Sequence, residues 1–135
     1  MAEGYQATKG NIEIFLKELK NILEIPISKL NIIPREDKPE EYSTEYCLRD
    51  LEFEIEDVKE ELKKLKLSEY VECCPDERNV KSNDYYVFSK MYHQKQVYIK
   101  LKIQSYDKKS ILCMSFHYAE YEITKFPYRG REGNC

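Results

Sequence analysis

The chain places helical periodicity first and strand periodicity afterwards. That order predicts an α+β domain with N-terminal helices packed on one face of a small C-terminal antiparallel sheet. Three observations carry this. Apolar residues recur at helical spacing from Ile12 to Leu65, the period switches to two from Asp84 onward, and the last three alternating runs are joined by links short enough for hairpins. At 135 residues the chain reads as one domain with a hydrophobic core of its own, residues 1–10 and 123–135 being expected as flexible tails.

In NIEIFLKELKNIL the residues Ile12, Phe15, Leu16, Leu19, Ile22 and Leu23 form one helical stripe. Asn11 is the expected N-cap and Pro26 the stop. SKLNIIPRE is open between a brief strand and an extended connector. EDKPEEYSTEY reads as loop turning into a short helix that CLRDLEF completes. EDVKEELKKLK is the clearest helix: Ile55, Val58, Leu62 and Leu65 share a face, acids lead, lysines trail, and Glu60 and Lys64 stand i,i+4. LSEYVE reads as a turn and CCPDERNVKSND as a polar loop.

The runs DYYVFSKMY, QVYIKLKIQ and SILCMSFHY then alternate. In the second, Val97, Ile99, Leu101 and Ile103 face one way and Tyr98, Lys100 and Lys102 the other. Helices would cover one face of the sheet, leaving the tyrosine and lysines on an open face. In the third run strict alternation sets Leu112, Met114 and Phe116 against Ile111, Cys113, Ser115 and His117. If the last two runs pair, His117 is expected near Tyr98 or Val97.

Composition narrows the function classes. No apolar run approaches the roughly 18 residues of a membrane span, and MAEGYQATKGN lacks the basic start and apolar stretch of a secretory signal, so a cytoplasmic location is expected. The five cysteines, at 47, 73, 74, 113 and 135, form no disulfide framework and no C-x-x-C clip. With two histidines and no HExxH, neither a metal site nor a cofactor is expected.

The net charge of -3 hides an asymmetry. Residues 1–77 hold 11 Lys and Arg against 20 Asp and Glu; residues 78–135 hold 11 against 5, and eight of the twelve tyrosines. A basic, tyrosine-rich surface suits single-stranded nucleic acid, since bases stack on rings while ammonium groups hold phosphates. Chance, together with a Glu-rich surface helix, gives the same count.

A histidine beside a tyrosine and lysines has the chemistry of metal-free RNA cleavage. One group takes the proton of the ribose 2′-OH, another protonates the departing 5′-oxygen, and cations stabilise the charge on phosphorus. His117 suits proton transfer near neutrality. A lone strand-end histidine is also commonly structural.

The joined pattern YYVFSKMYHQKQVYIKLKIQ…ILCMSFHYAEY resembles the C-terminal half of the MqsR-family toxins of type II toxin–antitoxin systems. The N-terminal helix, the IPR piece (Ile33, Pro34, Arg35) and EDVKEEL…LSEY agree more loosely. The resemblance implies a RelE-like fold, an mRNA interferase cutting single-stranded mRNA without metal, and a cognate antitoxin as partner. By position, Tyr98 matches the family's active-site tyrosine, and His117 stands where some members have a catalytic lysine. The family's catalytic glutamine falls near Ser89 or Lys90, and the lysine after its "FY" falls on Val71, which leaves that role unfilled. The expected catalytic set is therefore His117, Tyr98 and Lys90, with Lys100, Lys102, Ser89 and Arg35 as RNA contacts. Two other readings stand beside it: a non-catalytic RNA- or protein-binding module on the same scaffold, and a scaffold whose sheet edge receives a partner strand.

Overall fold

The computed structural model describes residues 4–33, 39–77 and 83–129. Among these, three helices pack on one face of a five-stranded mixed sheet. The elements run α1 (Lys9–Leu23), β1 (Lys29–Ile32), α2 (Thr44–Leu51), α3 (Ile55–Lys63), β2 (Tyr70–Cys74), β3 (Tyr85–Tyr92), β4 (Lys95–Ser105) and β5 (Ser110–Tyr118). The sheet order is β1-β5-β4-β3-β2. The α+β class is as expected, but the sheet is not purely antiparallel: β1 lies parallel to β5 at one edge.

The helical stripe of α1 is buried at Ile12, Phe15, Leu19, Ile22 and Leu23. The N-cap is Thr8 rather than Asn11, because the Thr8 hydroxyl accepts from the Asn11 amide. Ser43 caps α2 in the same way through the Tyr46 amide. In α3, Val58 and Leu62 are buried while Ile55 is exposed. The ion pairs there are i,i+3, Lys63 with Glu60 and Lys64 with Glu61, rather than the expected Glu60–Lys64. Lys59 of α3 is buried, its ammonium donating to the Ser28 carbonyl.

Apolar residues of β3, β4 and β5 meet the helices. Phe88, Val97, Ile99, Leu101, Ile103, Ile111, Cys113 and Phe116 join the helical residues in one core. Phe15 of α1 stacks on Tyr86 at 3.9 Å between ring centroids. Burying such rings is the main favourable contribution in a core of this kind.

Three expectations need correction. YVECC is a strand, β2, paired with β3 through Glu72–Val87, Cys73–Tyr86 and Cys74–Tyr85, not a turn running into a loop. Strict alternation in β5 fails at Met114. Lys100 pairs with Ser115 and Leu101 with Cys113, so Met114 is an extra residue, a bulge that reverses the sidedness of everything after it. Phe116 thus joins Ile111 and Cys113 in the core, while Ser115 and His117 turn to the opposite face. That face, in turn, is not open. Val87 is 0% exposed, Ser89 2%, Lys102 6%, Ser115 0% and His117 5%.

The cover has two parts. At one end Asp76, in the loop after β2, pairs with Lys102. At the other, residues 119–129 fold back across the sheet, so that 123–129, where the sequence predicts a flexible tail, are packed instead. The Ala119 amide donates to the Gln96 carbonyl. The Gln96 side-chain amide exchanges two hydrogen bonds with the backbone of Ile123, at 2.8 and 2.7 Å. Lys125 then reaches Glu72 of β2, and the Tyr128 hydroxyl donates to the Ala7 carbonyl. At the other end of the chain, Tyr5 bridges to Cys73 and so extends the edge beside β2. No helix among the described residues is long and apolar enough to cross a membrane.

Candidate functional site

β3 and β4 are joined by a two-residue turn, His93 and Gln94, both in the left-handed region (φ 52° and 67°). Such a turn matches the twist of a hairpin and fixes its register. The pairing that follows sets Ser89 opposite Tyr98, and the bulged β4–β5 pairing sets Tyr98 opposite His117. Paired residues on neighbouring strands share a face. One row across the sheet therefore carries Ser89, Tyr98 and His117, and the next carries Val87, Lys100 and Ser115. The sequence expectation that His117 lies near Tyr98 agrees with this register.

The Tyr98 and His117 rings stack at 5.4 Å between centroids, inclined by 22°. His117 Nδ1 lies 2.9 Å from the Tyr118 carbonyl oxygen. A carbonyl only accepts, so Nδ1 carries the proton and the lone pair of the neutral ring sits on Nε2. The ring is thereby held in one tautomer, with its basic nitrogen on the side away from the backbone. Tyr98 and His117 form the floor of a cavity of about 370 Å³ whose other lining residues are Ala119, Glu120, Tyr121, Glu122 and Ile123.

The expected cations separate. Lys100 is half-buried on the same face, its ammonium 5.0 Å from the centroid of the Tyr85 ring. Lys102 also lies over Tyr85, at 4.8 Å, but it is buried and bound to Asp76 at 2.6 Å. Its charge is matched by a partner inside the fold, so Lys102 acts as a structural cation rather than an exposed RNA contact. Lys90 is one residue on from Ser89 and so points to the helical face. It pairs across with Val97 of the core and binds Glu69 at 3.1 Å. Lys90 is therefore separated from Tyr98 and His117 by the thickness of the sheet. Ser89 lies in the same row as Tyr98 but is 2% exposed. Arg35 falls outside the described residues.

Cys74 of β2 is half-buried on the same face. Its thiol is raised from its ordinary value by burial first and then by the Glu72 carboxylate, with the charge of Lys100 acting in the opposite direction. Among the described residues no group of three or more His, Cys, Asp or Glu side chains is arranged to hold a metal ion.

Sequence reasoning missed the roof of the cavity. Residues 119–129 have no period that would announce a packed segment, and the side chain that ties them down, Gln96, looks like an ordinary polar residue at the start of a strand. Asp76 carries no signal for the same reason, since CCPDERNVKSND shows only the composition of a polar loop.

No family model, characterised protein or solved structure matches this chain.

Proposed function

We propose that the chain is a metal-independent endoribonuclease of the MqsR-type toxin class, on a RelE-like scaffold. It would cleave single-stranded mRNA in the cytoplasm and be neutralised by a cognate antitoxin protein. The observation that supports this reading best is the stacked Tyr98–His117 pair with the His117 lone pair directed to Nε2.

In the proposed reaction Nε2 of His117 removes the proton from a ribose 2′-OH. The 2′-oxygen attacks phosphorus, the bond from phosphorus to the 5′-oxygen breaks, and Tyr98 supplies the proton to that oxygen. The products are a 2′,3′-cyclic phosphate and a free 5′-hydroxyl, with no water consumed. Lys100, one row away on the same face, supplies positive charge toward the phosphate. Lys90 and Lys102 are left out of this scheme because each is held by a carboxylate.

The test is to incubate the purified chain with single-stranded RNA in EDTA and identify the termini. Cyclic phosphate and 5′-hydroxyl ends support the scheme; 5′-phosphate ends refute it. A second reading, a non-catalytic module binding RNA or protein, draws on the low exposure of His117. It predicts salt-dependent RNA binding without cleavage.

A further inference from the structure

His117 is covered by a segment that is bonded only lightly to the rest of the fold. Ala119 to Ile123 roof the Tyr98–His117 cavity. From Ile123 the segment crosses to β2 and ends, among the described residues, beside the N-terminal strand bridge. Its attachments are specific: the Gln96 side chain to both backbone groups of Ile123, the Gln96 carbonyl to the Ala119 amide, Lys125 to Glu72, the Tyr128 hydroxyl to the Ala7 carbonyl, and the Tyr128 ring beside that of Tyr70 at 6.0 Å between centroids. Tyr121, Glu122, Thr124 and Lys125 are exposed and Ile123 and Phe126 are only half-buried, so the apolar attachment of the segment is concentrated at the Tyr128 ring, which packs on the core beside Tyr70. Segments with few buried apolar contacts open locally, well short of global unfolding.

We propose that residues 119–129 are an intramolecular strap that keeps His117, at the base of the cavity, shielded and opens to admit single-stranded RNA to it. The proposal rests on the reading of that cavity as the reacting site. The strap excludes substrate in two ways. It covers His117, and it places Glu120 and Glu122 in the cavity wall, where their carboxylates repel an incoming phosphate. Gln96 is the latch, because its amide replaces a strand partner for Ile123 with both donor and acceptor satisfied. Tyr128 anchors the far end.

The two histidines make the test internally controlled. His93 is exposed in the β3–β4 turn, and His117 is covered. Diethylpyrocarbonate modification of the full chain, followed site by site by mass spectrometry, reads the opening of the strap against His93 as reference. His117 is expected to react much more slowly than His93 in the unmodified chain. In Tyr128→Phe its rate rises by about fivefold, the factor that loss of one ordinary hydrogen bond implies, and in Gln96→Ala it rises further. The His93 rate is unchanged in both. Circular dichroism melting confirms that the variants are folded, and should Gln96→Ala fail to fold, Tyr128→Phe alone decides. An unchanged His117 rate in the folded variants, or a His117 rate equal to that of His93 in the unmodified chain, overturns the strap. RNA cleavage by the same variants separates the two ideas. Faster His117 modification with faster cleavage supports both, whereas faster modification without cleavage supports the strap and removes the ribonuclease reading.

Discussion

Tyr98 and His117 stand directly opposite each other on β4 and β5, rings stacked at 5.4 Å, and they do so because Met114 is an extra residue in β5. Were Met114 paired rather than bulged, continuing the Leu101–Cys113 pairing would place His117 on the helical face, among the core side chains. Deleting Met114 removes the extra residue itself. It should therefore regularise β5 while keeping Ser115 opposite Lys100, Phe116 opposite Ile99 in the core and His117 opposite Tyr98, so that stability and any RNA cleavage are retained. Urea unfolding and a cleavage assay check the two consequences together.

Lys100 and Lys90 make a matched pair of controls for nucleic-acid contact. Lys100→Gln is expected to weaken single-stranded RNA binding and to reduce the salt dependence by roughly one counterion. Lys90→Gln is expected to leave both unchanged, since Lys90 is bound to Glu69 on the opposite face. Fluorescence titration at several salt concentrations distinguishes the two. Equal losses would mean that the sheet face does not set the contact.

Lys102 and Asp76 form a buried ion pair at 2.6 Å. Removing one partner takes the counter-charge at 2.6 Å from the other inside the fold, so Asp76→Ala is expected to cost about 3 kcal/mol in urea unfolding. Replacing both, with Lys102→Met and Asp76→Leu, should recover most of that loss, because two desolvated charges are then removed together.

Stability should fall on the alkaline side. Burial pushes the thiols of Cys47 and Cys113 up to about 12 and that of Cys73 to about 11, from an ordinary 9.0. Between those values the unfolded chain releases thiol protons that the folded chain retains, so it binds fewer protons and unfolding becomes easier as pH rises. The thiol contribution is fully present below about pH 9 and declines from there toward 11 to 12. Thermal melts at pH 7, 9 and 10 should show the fall, smaller in Cys113→Ala once its own packing loss at pH 7 is subtracted. Among the four described cysteines, half-buried Cys74 should alkylate first in the native protein.

The fold was legible where periodicity survives. The stripe Ile12, Phe15, Leu19, Ile22 announces α1, and the row Val97, Ile99, Leu101, Ile103 announces the core face of β4, because burial on one side of a regular element leaves a regular trace. The turn at His93 and Gln94 was legible from its length but not from its chemistry, since neither residue is a usual choice for positive φ. Replacing them, His93→Asn with Gln94→Gly, is expected to raise stability by about 1 kcal/mol in the same melts. What was not legible is what breaks the period. Met114 inserts itself without any compositional mark. β2 offers only five residues, two of them cysteines, ahead of Pro75. The strap docks through scattered single side chains, Gln96, Lys125 and Tyr128, rather than through a stripe. Of the candidate site, Tyr98 and His117 came together because they belong to paired strands; Lys90 faces the helices because it is one residue on from Ser89, and Lys102, although on the face of Tyr98, is held by Asp76.

Whether His117 is the general base of an RNA cleavage reaction is decided by single-turnover cleavage of single-stranded RNA in EDTA, comparing the unmodified chain with His117→Ala. Cleavage by the unmodified chain is expected, with a loss of about a hundredfold or more in the variant, the share that a positioned general base supplies, while folding and RNA binding are retained. Equal rates in the two proteins, or RNA binding with no cleavage by either, would contradict that role for His117.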